Sequence, residues 1–186
     1  MNLPNLLTIL RIILSGFFIF FMYQVGVGSK ILALILFSAA AITDYFDGHI
    51  ARKYNLISNF GKLMDPIADK FLMLSAFFIF AEQGFIKWWI FTVIAVREIW
   101  VTVYRLNAAK KGIVLAADTM GKLKTVLQIS IAVFILLFNV VLSCNFAVHI
   151  NGQVVNAVML FIEMFMWVVV AVTIYSGIEC CKNKCE

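Results

Sequence analysis

The 186-residue chain has little charge, histidine, proline or cysteine. Charged residues make up 13% of it and only ten are acidic, too few for a soluble domain folded around one core. No low-complexity stretch, internal repeat or domain linker divides it, which excludes a disordered chain and a string of modules. No basic segment precedes the first apolar run, because Arg11 lies inside it, and no small-x-small site follows. A cleavable signal peptide is therefore not expected, and the run reads as a retained first helix, with Asn2 or Leu3 before Pro4 in its first turn. The four cysteines do not form a disulfide framework. Cys144 stands alone, whereas Cys180, Cys181 and Cys185 cluster in an expected cytoplasmic tail, where thiols stay reduced. With no histidine nearby they are a weak zinc pattern, and S-acylation or no role at all fits them equally.

What is present is apolar. The hydrophobic fraction is 63%, mean hydropathy is +1.00 and phenylalanine alone occurs 18 times. The length suits about six membrane spans of roughly 20 residues in one domain, 1–186. The expected spans are approximately 5–25, 30–52, 62–82, 87–107, 122–144 and 154–178. The fold class expected is an all-α integral membrane protein. Six spans alternate the loops between two sides. One side holds Arg52, Lys53, Lys62, Arg105, Lys110, Lys111, Lys122, Lys124, Lys182 and Lys184, and the other only Lys30 and Lys87. Ten cations against two make the first side cytoplasmic and direct both termini inward. Lys53, Lys110 and Lys111 are accounted for by this rule alone. A basic cytoplasmic face also suits anionic head groups and phosphorylated solutes.

Against this background four carboxylates, Asp44, Asp47, Asp65 and Asp69, fall within 26 residues. Asp44 and Asp47 are i, i+3 near the cytoplasmic end of helix 2 and share a face. Gly48 and Arg52 continue that face, and Ala51 lies one turn beyond Asp47. Small residues at 48 and 51 allow a ligand or another backbone to approach closely. Gly61, Asp65 and Asp69 are i, i+4, i+8 on helix 3, with Pro66 expected in its first turns. Two carboxylate-bearing faces are thus expected at one depth. Four such groups do not all remain ionised unaided, and two divalent cations would balance them. The donor set is all oxygen, which favours Mg2+ or Mn2+ over zinc. His49 is on a different face and is expected in the loop. Chemistry on a phosphate follows. Two other readings compete: a buried ion network with Arg52, Lys62 and Lys70, and an ion or proton pathway. The network does not require the glycines, and pathway carboxylates lie nearer the midplane.

The pattern Asp44-x2-Asp47-Gly48-x2-Ala51-Arg52-x8-Gly61-x3-Asp65-x3-Asp69 resembles that of the CDP-alcohol phosphotransferases at every position. The resemblance implies a membrane enzyme of six transmembrane helices, usually a homodimer. It would pass a phosphatidyl group from a CDP-linked lipid to an alcohol and release CMP. It also implies that the four aspartates hold the metals, that Asp69 is the general base, and that Gly48, Ala51, Arg52 and Gly61 border the CDP-lipid. Two further segments resemble the branch whose acceptor is sn-glycerol 3-phosphate. One is Asn2-Leu3-Pro4-Asn5-Leu6-Leu7-Thr8-Ile9-Leu10-Arg11. The other is Arg97-Glu98 with Arg105, Ala108, Ala109 and Gly112, then Gly121-Lys122-Leu123-Lys124-Thr125 and Gln128. The resemblance covers most of residues 1–130; the last span looks generic.

A dianionic acceptor phosphate wants several cationic donors, and Arg11, Arg97, Arg105, Lys122 and Lys124 are the expected set. Arg97 falls mid-helix, a costly place unless it faces a polar cavity or a carboxylate. Glu98 is about 100° round the helix from it and is not an expected partner. Flanking of helix 5 by the positive-inside rule is a competing account of Lys122 and Lys124. The expected partners are CDP-diacylglycerol, sn-glycerol 3-phosphate and membrane lipid, in the cell membrane with a cytoplasm-facing site and no nucleic acid. The alternatives are another acceptor (inositol phosphate, serine or phosphatidylglycerol) or a metal-ion transporter built on the acidic cluster.

Overall fold

The computed structural model describes the backbone of residues 3–54, 59–110, 119–144 and 151–182, and side chains over 9–43, 70–104, 106–107, 120–144 and 151–179. Six helices follow in order: α1 (Leu3–Tyr23), α2 (Val27–Tyr54), α3 (Asn59–Glu82), α4 (Trp88–Lys110), α5 (Thr119–Ser143) and α6 (Gly152–Lys182). No strand occurs among the described residues. The helices sit within a few residues of the expected spans, because an apolar run long enough to be helical is a local signal.

Several details differ from expectation. The residue at 49 is helical, since α2 continues through its polar end to Tyr54. Cys180 and Cys181 lie on α6 and not in a tail, while Cys185 is outside the described residues. Pro66 is the eighth residue of α3, two turns in, because that helix begins at Asn59. A proline there supplies no N–H to the carbonyl four residues back. The polar stretch 105–124 does extend two helices, to Lys110 and from Thr119, while Gly112 is outside the described residues.

The residues group into two compact units, Met1–Ile79 with Ala132–Ile150, and Phe80–Ile131 with Asn151–Glu186. In the first, α1 packs on α2. Phe18 and Met22 of α1 and Ala33, Phe37 and Ala40 of α2 are fully buried. The i, i+4, i+7 spacing of the α2 residues makes one face, on which two alanines flank a single phenylalanine knob. Its ring lies 5.5 Å from that of Phe18. Gly26 turns the chain between the helices with φ +116, a conformation that suits glycine. Lys30 Nζ then reaches back 2.5 Å to the Met22 carbonyl, satisfying an acceptor that the end of α1 leaves open.

In the second unit α4 packs on α6. Ile90, Ile94 and Val101 meet a core that includes Ile162, Met166 and Val169, all buried, and Trp89 lies 4.9 Å from Trp167. The turn ahead of α4 is closed by Gly84, at φ +80. Its N–H bonds to the Ala81 carbonyl and the Phe85 N–H to the Phe80 carbonyl, the paired bonds of a Schellman stop. Asn151 caps α6, its side chain accepting the Gln153 N–H at 3.1 Å. Lys87 and Glu163 form an exposed ion pair at 2.5 Å, a contact worth under about 1 kcal/mol.

The outward faces are apolar too. Val96, Trp100 and Val103 on α4, and Leu160, Met164 and Trp167 on α6, are all more than half exposed at i, i+4, i+7 spacing. In water such stripes would be large unsatisfied apolar patches. Among the described residues, Met120–Ser143 and Gly152–Glu179 are long and apolar enough to cross a membrane, by length and composition.

Candidate active site

The acidic motif is distributed over two helices of the first unit. Asp44, Asp47, Gly48, Ala51 and Arg52 fall within α2, and Gly61, Asp65 and Asp69 within α3. Both helices run unbroken through these positions, so the i, i+3 and i, i+4 registers hold on the backbone. The motif side chains lie outside the described residues. Among those described, no three His, Cys, Asp or Glu side chains come together. The donor chemistry of the four aspartates, hard oxygens on consecutive helices, fits Mg2+ or Mn2+.

The second unit carries a described polar cluster. Arg97 of α4 donates from Nη1 to Glu98 Oε1 at 3.1 Å and from Nη2 to Ser176 Oγ of α6 at 2.7 Å. Lys124 of α5 donates to the same Glu98 oxygen. Glu98, Lys124 and Ser176 are 3%, 2% and 1% exposed. One carboxylate oxygen therefore joins two cations from two helices, which offsets the desolvation of all three groups. The expectation that Glu98 would not partner Arg97 is overturned. Adjacent residues do leave the helix about 100° apart, but the long arginine stem folds its guanidinium back across that angle.

Glycines bring the helices close here. A Cβ on Gly177 would meet Arg97 Cγ at 3.6 Å and Nε at 3.7 Å, and one on Gly121 would meet Ser176 Oγ at 3.9 Å. The arginine stem thus lies along bare α6 backbone. Its Nε is buried and has no hydrogen-bond partner. Gln128 and Thr173, on α5 and α6 of the same unit, are buried too, each with an unmatched polar atom.

The expected acceptor cations separate into distinct settings. Arg97 and Lys124 meet through Glu98. Lys122, two residues from Lys124, is on the exposed side of α5. Arg11 is buried on α1 in the first unit, where Ser15 Oγ donates to its carbonyl at 2.7 Å. Arg105 lies on α4, its side chain outside the described residues. The last span is not generic: α6 supplies Ser176 and Gly177 to Arg97. The signal for it was Thr173, Ser176 and Gly177 at i, i+3, i+4, a polar and small stripe in an otherwise apolar helix.

A helical chain with an acidic motif on consecutive helices and a buried Arg97–Glu98–Lys124 cluster places ionisable groups within apolar helices, as functional membrane sites do. The family model described as CDP-alcohol phosphatidyltransferase matches residues 1–175, and the chain belongs to that family. It is 37% identical over 190 residues to the CDP-diacylglycerol--glycerol-3-phosphate 3-phosphatidyltransferase of Bacillus subtilis, covering 96% of this chain and 92% of that one. A protein of the same name from Rickettsia bellii is 36% identical over 182 residues, 98% of this chain and 96% of the relative. The "Probable phosphatidylglycerophosphate synthase" of Mycobacterium tuberculosis is 39% identical over 139 residues, 73% of this chain. That match spans 66% of the mycobacterial protein's own length.

Proposed function

We propose that this chain transfers the phosphatidyl group of CDP-diacylglycerol to sn-glycerol 3-phosphate, giving phosphatidylglycerol phosphate and CMP. The observation that carries the reading is the complete acidic pattern on two unbroken helices, in a family whose similar members bear that activity's name. Asp44, Asp47, Asp65 and Asp69 would hold two Mg2+ or Mn2+ ions, which neutralise charge on the pyrophosphate and on departing CMP. Asp69 accepts the proton of the acceptor hydroxyl. Gly48, Ala51 and Gly61 leave room beside the cytidine and its phosphates, and Arg52 pairs with them. Arg97, Arg105 and Lys122 neutralise the acceptor phosphate, supported by Arg11 and Lys124.

The test is release of CMP by the purified protein from CDP-diacylglycerol with Mg2+ and a panel of acceptors. Glycerol 3-phosphate is expected to support it, and glycerol, inositol phosphate and serine are not. Equal release with inositol phosphate or serine would move the acceptor assignment and leave the family in place. Ion uptake into vesicles without CMP release would favour a transporter. Within this reaction Arg52→Ala is expected to raise the KM for the CDP-lipid, since Arg52 shares a helix face with Asp44 and Gly48. A change confined to the acceptor KM would reassign it.

The same reading makes 1–186 one multi-pass domain of the cell membrane, with six spans, both termini and the site cytoplasmic, working as a homodimer. The apolar outward stripes of α4 and α6 and the one-sided distribution of lysine and arginine support it. Single-cysteine variants treated with an impermeant thiol reagent on intact cells are expected to label at positions 87 and 144 but not at 110 or 181. Labelling at 181 from outside would invert the topology.

A further inference from the structure

We propose that the cavity between the start of α4 and the first half of α6 is a phospholipid site, selective for a head group that carries both a phosphate and a primary ammonium. The cavity lies within the second unit and takes no part in the proposed chemistry; the proposal rests only on the membrane reading above. Its volume is about 520 Å³. Small-molecule sites span roughly 300–1,000 Å³, and a single water fills far less. The cavity runs from Asn156 to Met166, about 15 Å along α6. Its apolar wall includes Ile86 and Ile90 on one side and Met159, Leu160 and Met166 on the other. Ile86, Ile90 and Met166 are buried, so the floor is a hydrocarbon surface that suits an acyl chain better than water. The two methionines are unbranched and flexible and can follow the shape of such a chain.

The position along α4 is that of a membrane boundary. Trp88 and Trp89 open the helix and are both exposed, as in an interfacial aromatic belt. Arg97 is about 14 Å further along the helix, and Arg105 about 25 Å, close to one hydrocarbon thickness. The cavity therefore opens at the end of α4 opposite its basic end. Lys87 Nζ and Glu163 Oε1 pair beside it at 2.5 Å, joining the chain ahead of α4 to α6. Their side chains are 58% and 38% exposed, so a ligand can reach both charges, and exchanging an exposed pair for ligand contacts costs little. A purely anionic head group would gain Lys87 and be repelled by Glu163. A phosphate with an ammonium complements both. The ammonium of an ethanolamine head group donates hydrogen bonds to a carboxylate, whereas a quaternary choline has no N–H to give.

The test is native mass spectrometry and thermal unfolding of the purified, delipidated protein in neutral detergent. It is titrated with phosphatidylethanolamine, phosphatidylcholine or phosphatidylglycerol. Phosphatidylethanolamine is expected to bind at least about 10-fold more tightly than the other two and to raise the unfolding temperature as its concentration rises. Lys87→Gln and Glu163→Gln should each weaken that binding about 10-fold and remove the preference, while CMP release stays at the unmodified rate. Both variants are expected to fold, because an exposed pair adds little to stability. Met159→Trp, which fills the cavity and leaves the charges in place, should weaken phosphatidylethanolamine binding as well. Equal binding of all three lipids, unaffected by either glutamine variant, would reduce the cavity to ordinary contact with bulk lipid and overturn the proposal. A preference for phosphatidylglycerol would overturn it too, since Glu163 would then not be read. A protein that stays in the aqueous fraction without detergent would overturn the membrane reading along with it.

Discussion

Asp44→Asn, Asp47→Asn, Asp65→Asn and Asp69→Asn each lower turnover by at least about 100-fold, with little change in the amount of folded protein. The isosteric amide keeps size and helix register and removes only the charge. Under the proposed reaction that charge binds a divalent ion and, at Asp69, also takes a proton. Chelation with EDTA is expected to abolish activity, and Mg2+ or Mn2+ to restore it. CMP release by each variant, measured at saturating CDP-diacylglycerol across a metal titration, separates the two roles. A metal ligand regains part of its rate at high metal concentration, and a general base does not. Full activity in any one variant would remove that residue from the site. A buried ion network with Arg52, Lys62 and Lys70 would instead show in thermal stability, because removing one partner leaves an uncompensated charge.

The second large effect is expected in the acceptor series. Arg97→Ala, Arg105→Ala and Lys122→Ala each raise the KM for glycerol 3-phosphate about 10–100-fold, the worth of one charge-assisted hydrogen bond, and leave the KM for CDP-diacylglycerol nearly unchanged. Normal acceptor KM values in all three would reduce the cluster to a topological marker. Lys124 behaves differently from Lys122 although both are lysines two residues apart. Lys122 is exposed, and Lys122→Ala is expected to leave stability nearly unchanged. Lys124 is buried on Glu98, so Lys124→Ala is expected to lower stability by about 3 kcal/mol as well as activity.

The six helices were legible because each apolar run must satisfy its own backbone hydrogen bonds, and hydropathy reports that locally. The ends were less so. α2 carries its helix past the apolar run to Tyr54, and α6 continues to Lys182, because the i→i−4 backbone bonds continue whether or not the side chains are apolar, even through weak helix formers such as Gly48 and Gly177. The acidic motif was legible for another reason. Four carboxylates in a chain with ten acidic residues are conspicuous, and spacing on a helix converts directly into a shared face.

What the sequence by itself determined, then, is the helical class, the order of the helices and the spacing of the acidic pattern along two of them. These depend on residues close together along the chain. The tertiary structure alone decided that Glu98 joins Arg97 to Lys124, that Ser176 holds the far side of the guanidinium, and that the arginine stem lies against Gly177. Those contacts link residues up to 79 positions apart. They depend on which helices lie side by side and on how far long, flexible side chains reach, neither of which is written in local spacing.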